Sequence, residues 1–168
     1  DGSKSAQEAC DEFKAKFSEL YKGGRSPGMP TGMQEIDDIT GGMRPGELWV
    51  AAGPTSGGKS VIALQAAGSA IKAGKRVGIF SLEMGAEENI ARSISAGYDV
   101  NYTFLRDPRG QVFDQTSQQW KSITQVDLKR IGKAIEDLSK APLTICDEAQ
   151  LTIERIESIA QKWSDTNG

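Results

Sequence analysis

The run Gly53-Pro54-Thr55-Ser56-Gly57-Gly58-Lys59-Ser60 fits the pattern G-x-x-x-x-G-K-[ST] at every fixed position. Residues of these types at this spacing hold phosphate. The glycines let successive backbone N–H groups turn inward around an anion. A helix that opens directly after the loop adds the positive end of its dipole. Lys59 brings a point charge to the β- and γ-phosphates, and the Ser60 hydroxyl is a ligand for Mg²⁺. Val61 starts the helix beside them. ATP and Mg²⁺ are the ligands this chemistry expects.

Binding phosphate is not hydrolysis, which needs a group that orients water opposite the γ-phosphate. Two acidic candidates follow apolar runs. Glu83 comes after residues 76–81, and Asp147-Glu148 comes after residues 143–146. The second pair has the form of a Walker B end, with an Asp that holds Mg²⁺ through water and a Glu that activates water. Pattern alone does not choose between them. In an open parallel sheet the carboxyl ends of all strands face the ligand crevice, so both candidates reach it.

The elements that must position these groups alternate. Residues 47–52 read as a buried strand leading into the loop, and 61–73 as an alanine-rich helix closed by Gly74. Residues 76–81 read as a second strand, and 86–96 as a helix with Glu87 and Glu88 in its first turn, where the dipole favours them. Residues 97–125 read as irregular, 127–138 as a helix, 143–146 as a third strand and 153–163 as a last helix. Strands alternating with helices predict an α/β domain, a parallel sheet with helices on both faces. With the loop in place, the pattern predicts a P-loop NTPase.

Ahead of the domain, residues 5–22 read as an amphipathic helix. Ser5 and Glu8 have capping-box spacing, and Ala6, Cys10, Phe13, Phe17 and Leu20 fall on one face. Gly23 and Gly24 stop it, and the Gly/Pro-rich stretch to Pro30 reads as a tether. Two units are thus expected: helix and tether over 1–30, and the nucleotide-binding domain over 31–168. The helix either folds back on its own core or docks on a neighbouring subunit.

Several of these residues, taken in order, carry a family resemblance. Thr31-Gly32-Met33 with Ile36-Asp37, Gly41-Gly42-Met43, Pro45-Gly46-Glu47-Leu48, the loop, and Phe80-Ser81-Leu82-Glu83-Met84 resemble the RecA-like ATPase domain of DnaB-type replicative helicases. The likeness is good over residues 28–100 and looser over 126–163. The Ser-Leu-Glu-Met stretch discriminates best, followed as in the family by a helix with an acidic start and an Arg-Ser pair, here Arg92-Ser93. The resemblance implies that Glu83 is the catalytic carboxylate. It implies that the strand ending at Asp147 precedes the true Walker B strand, which demotes Asp147 and Glu148. It implies a hexameric ring, held by the amino-terminal helix docked on the adjacent subunit, acting on single-stranded DNA with primase or a helicase loader as partner. Residues 106–125 are longer than the matching family segment. The family's Walker B Asp, γ-phosphate sensor, DNA-binding loops and arginine finger are expected beyond residue 168, so the chain reads as a fragment with little hydrolysis of its own. A RecA-, RadA- or KaiC-like ATPase shares the loop and the glycine motifs. A non-catalytic assembly module is the alternative from another class.

Bulk properties bound these readings. The chain has 168 residues, enough for one core, and a net charge of −3, so any nucleic-acid contact must be local. There is no His, and Cys10 and Cys146 stand far apart, which argues against zinc. Both thiols are expected reduced and partly buried, in keeping with a cytoplasmic protein without a membrane span.

Overall fold

A computed structural model describes residues 3–22, 28–54 and 57–165. Its helices begin where local chemistry starts them. In α1 (Ala6–Tyr21) the Ser5 hydroxyl accepts from the Glu8 N–H while Glu8 reaches back to the Ser5 backbone, the expected capping box. The expected stop at Gly23 and Gly24, and most of the tether, lie outside the described residues. The same capping device, from Thr124 and Asp127, opens α6 (Gln125–Ser139). Helix α2 (Gln34–Thr40) ends at Gly41. Ahead of it, the Asp37 carboxylate accepts the Thr31 N–H and hydroxyl, both at 2.8 Å, and the Gly32 N–H at 3.2 Å. The Thr31 N–H bond, chiefly, holds the Asp37 carboxyl below its ordinary range. Gln65 of α3 (Lys59–Lys72) donates to the Gly32 carbonyl at 2.9 Å and fastens this turn to the helix after the loop.

Strand β1 (Val77–Phe80) pairs in parallel with β4 (Leu143–Cys146), with Val77 opposite Leu143 and Phe80 opposite Cys146. The chain between them runs through α4 (Ala86–Tyr98), α5 (Tyr102–Arg106), a hairpin and α6. Side chains alternate across the sheet. Phe80 stacks on Trp163 of α7 (Ile153–Asp165), with ring centroids 4.8 Å apart. Gly78 lies under the same ring, and a Cβ there would come within 2.6 Å of it. Ile79 points the other way and lines a cleft with Leu64 of α3 and Leu138 of α6. Helices therefore cover both faces, as the alternation predicts. A hydrophobic cluster lies where α4 meets α6: Ile94, Val100 and Ala134 are buried, with Ile90, Leu105 and Ile131 against them.

Three expectations are corrected. Residues 47–52 form no strand. They pair with none of the described segments, and Leu48 and Val50 are 88% and 80% exposed. Apolar residues give strand propensity, but a strand exists only where a neighbour accepts its ladder bonds. Among the described residues, the parallel sheet holds β1 and β4 alone. Residues 97–125 are not irregular. They form α5 and a hairpin of β2 (Gln111–Asp114) and β3 (Gln119–Ser122). Phe113 and Trp120 face each other across it, edge to face at 5.4 Å, and the Asp114 carboxylate accepts the Thr116 N–H at 2.8 Å to shape the turn. Finally, Cys10 is exposed, because α1 buries no residue, while Cys146 is half-buried; both thiols are free. The stripe Phe13, Phe17 and Leu20 stands exposed on α1.

Candidate functional site

The loop 53–60 opens α3 and begins at the end of the unpaired segment. Thr55 and Ser56 lie outside the described residues. Gly58 is the N-cap of α3 at φ 82°, a left-handed conformation that a side chain disfavours. It provides no side-chain cap, and the first turn of α3 carries no acidic residue. That contrasts with α1 and α6, whose first N–H groups are met by Ser5 and Thr124. Among the described residues, no side chain accepts from the first-turn amides of α3, at Lys59, Ser60 and Val61, and a phosphate meets that need. The Lys59 ammonium folds back on its own loop, donating to the Gly53 and Pro54 carbonyls at 3.1 and 2.9 Å. The Gly57 N–H donates to the Pro54 carbonyl at 3.0 Å and tightens the turn. The Ser60 hydroxyl has no partner among the described residues. An anion cradle with a nearby cation and a spare hydroxyl fits a Mg²⁺-bound polyphosphate.

Chain direction sets the rest. Helix α3 packs on β1 and ends at Lys72, shortly before β1 starts at Val77. It runs back along the strand, so its first turn and the loop lie toward the carboxyl end of β1. The parallel pairing puts the carboxyl end of β4 there too. Glu83, Asp147 and Glu148 thus gather at the loop's end of the sheet, but in different states. Glu83 is exposed in the turn after β1 and has no hydrogen-bond or ion-pair partner among the described residues. Asp147 accepts the Ala86 N–H at 2.7 Å and caps α4 from the neighbouring strand. Glu148 pairs with Arg155 at 3.2 Å. Arg92 is held within α4's own surroundings, bonded to Glu88 at 2.8 Å and stacked 5.2 Å from the Tyr102 ring centroid. Its guanidinium is the main cause that lowers the Glu88 pKa, helped by the Tyr102 hydroxyl.

The turn between β1 and α4 has one further member that motif reading missed. Asn89 is only 2% exposed, and its amide donates to Ser81, Met84 and Gly85. The only signal in the sequence is a polar residue where α4 turns inward beside Ile90.

With this geometry in view, kinship can be read. The family model of the DnaB-like helicase C-terminal domain matches residues 28–168. The chain belongs to this family. Among curated relatives, the replicative DNA helicase DnaB of Leifsonia xyli subsp. xyli (strain CTCB07) is 32% identical over 161 residues, 95% of this chain and 32% of that protein. The DnaB of Pasteurella multocida (strain Pm70) is 32% identical over 143 residues, 84% of this chain and 28% of that protein. The DnaB-like chain thus spans about a third or less of the curated relatives it matches. A solved structure of a DnaB-like replicative helicase and its interactions with primase aligns with the whole chain at TM-score 0.79 and 25% identity, covering 37% of that protein. A second solved structure, of an ATPase domain, aligns at TM-score 0.68 and 24% identity, over 54% of its length, and supports the RecA-like fold. Among the described residues, no helix of this DnaB-like chain is long and apolar enough to cross a membrane.

Proposed function

We propose that this chain is the nucleotide-hydrolysing core of a replicative DNA helicase. In this reading the protein uses ATP to move along single-stranded DNA and open duplex. The observation that carries it is the start of α3 behind the loop 53–60, which no described side chain caps, lying at the same end of the sheet as Glu83, which has no partner among the described residues. When bound, Mg²⁺-ATP supplies the phosphoanhydride to be cleaved. The first-turn amides of α3 take the phosphate oxygens. Lys59 would leave its loop carbonyls for the β- and γ-phosphates, and the Ser60 hydroxyl would hold the metal. Glu83 accepts a hydrogen bond from a water molecule and orients it for in-line attack.

Assembly follows from α1. An exposed stripe holding Phe13, Phe17 and Leu20 is available to dock on a neighbouring copy, and a hexameric ring is the arrangement we propose. The helix and tether over 1–30 and the ATPase domain over 31–168 are then two working units. The similarity to a helicase described with its interactions with primase makes primase a candidate partner of the full protein. A cytoplasmic location follows from that role.

The test is unwinding of a forked DNA duplex by the full-length protein with ATP and Mg²⁺, beside its Lys59→Ala variant. Unwinding by the wild type and none by the variant is expected. Strand exchange between homologous duplexes without unwinding would point to a recombinase instead. No nucleotide dependence of either activity would leave an assembly module.

A further inference from the structure

The turn 81–85 carries Glu83 between β1 and α4, and its shape is imposed by one buried side chain. We propose that Asn89 is a positioning residue for Glu83: its amide locks this turn so that the carboxylate faces the nucleotide end of the sheet. The inference rests on the reading of Glu83 as the group that orients water.

Asn89 is 2% exposed at the start of α4. Its amide nitrogen lies 3.0 Å from the Ser81 hydroxyl oxygen, 3.0 Å from the Gly85 carbonyl and 3.3 Å from the Met84 carbonyl. Carbonyls only accept, so the amide can sit in one orientation. The Ser81 hydroxyl donates to the Met84 carbonyl at 2.7 Å, which leaves its lone pairs for Asn89. The two amide hydrogens therefore serve Ser81 and Gly85, with the Met84 carbonyl sharing one of them at the longer distance, and the set spans the turn. Both ends of the turn are pinned to β4 as well. The Ser81 N–H donates to the Cys146 carbonyl at 2.8 Å, and the Ala86 N–H to the Asp147 carboxylate at 2.7 Å. Glu83 is the one acidic residue between these fixed points.

A buried amide is a costly choice for a helix face, since an apolar residue would need no partners. What it gains here is a single conformation of a short turn. Water-orienting groups need that, because a misplacement of about 1 Å costs about 10²-fold in rate.

The test is a double-mutant cycle in the full-length protein, read by single-turnover ATP hydrolysis, with ATP affinity titrated separately. Asn89→Leu keeps the volume and removes the donors. Alone, it should slow hydrolysis by about 10- to 100-fold and leave ATP affinity within about twofold. In the Glu83→Gln background it should slow hydrolysis no further, because the group it positions is already disabled. Equal slowing in both backgrounds would mean general damage and would overturn the proposal. So would an unchanged rate in Asn89→Leu alone while Glu83→Gln is slow, and in that case the Glu83 reading stands. If Glu83→Gln itself hydrolyses normally, the underlying reading falls and the proposal with it. Should Asn89→Leu not fold, Ser81→Ala removes the hydroxyl from the same set and enters the cycle in its place, with the same expected non-additivity and the same refuting result.

Discussion

Asp147 can be assigned by two substitutions that separate a helix cap from a metal ligand. Its carboxylate accepts the Ala86 N–H at 2.7 Å, at the first residue of α4. Asp147→Asn keeps an acceptor at that place and loses only the negative charge near the positive end of the helix, about 0.3–1 kcal/mol. Asp147→Ala also removes the acceptor, and loss of a cap costs about 0.5–2 kcal/mol. The Ala86 N–H would then lack its partner, unless water reaches it, so the upper half of that range applies. Urea unfolding should therefore order the midpoints as wild type, then Asn close behind, then Ala clearly lower. Single-turnover hydrolysis across a Mg²⁺ titration should be nearly the same for wild type and Asp147→Asn. A cap predicts stability loss that grows from Asn to Ala with little change in metal dependence. If Asp147→Asn keeps its unfolding midpoint but loses hydrolysis by about 10²-fold or more, or needs far more Mg²⁺, Asp147 is catalytic and the cap reasoning fails.

Gly78→Ala should destabilise the fold by about 1–3 kcal/mol, since its new Cβ would sit 2.6 Å from the Trp163 ring. Gly132→Ala on α6 has nothing within 4 Å and should instead stabilise by about 0.5–1 kcal/mol in the same urea assay. The Asp37 carboxyl is held below its ordinary range, chiefly by the Thr31 N–H. Its contribution is therefore full above about pH 4, the unfolded value, and is lost as pH falls through the lower folded value. Unfolding midpoints from pH 7 down to about 2.5 should fall less steeply below pH 4 in Asp37→Asn than in wild type; equal slopes would count against the bonds to Thr31 and Gly32. Deleting residues 1–24 should lower the oligomer mass seen by light scattering of the full-length protein, and an unchanged mass at low concentration would remove α1 from the assembly.

Elements whose signals are local were legible in the sequence. The capping box at Ser5 and Glu8 and the strand 143–146 both appear where their residues predict. The helix that opens inside the proposed phosphate loop was legible because the loop pattern is contiguous and places that start. What depends on distant partners was not. Residues 47–52 have strand composition, yet pairing decides, and no described strand lies beside them. The hairpin was missed because its turn lacks the usual glycine and is shaped by Asp114 and by Gln118 at φ 52°. The aromatic pair Phe113 and Trp120 was the available clue. Asp147 and Glu83 look alike along the chain, both acidic just past an apolar run. They differ only because the Ala86 N–H reaches one of them across the sheet. Asn89 was invisible for the same reason, since its three acceptors become neighbours only when β1 turns into α4.

In the proposed mechanism, nucleotide held by the loop 53–60 is hydrolysed by water oriented on Glu83. The most direct test is single-turnover hydrolysis of ATP by full-length Glu83→Gln, with ATP affinity measured on the same preparation. The substitution keeps size and hydrogen bonding and removes the charge. Affinity close to wild type and hydrolysis slower by about 10²–10⁴-fold are expected. Hydrolysis at the wild-type rate would contradict it.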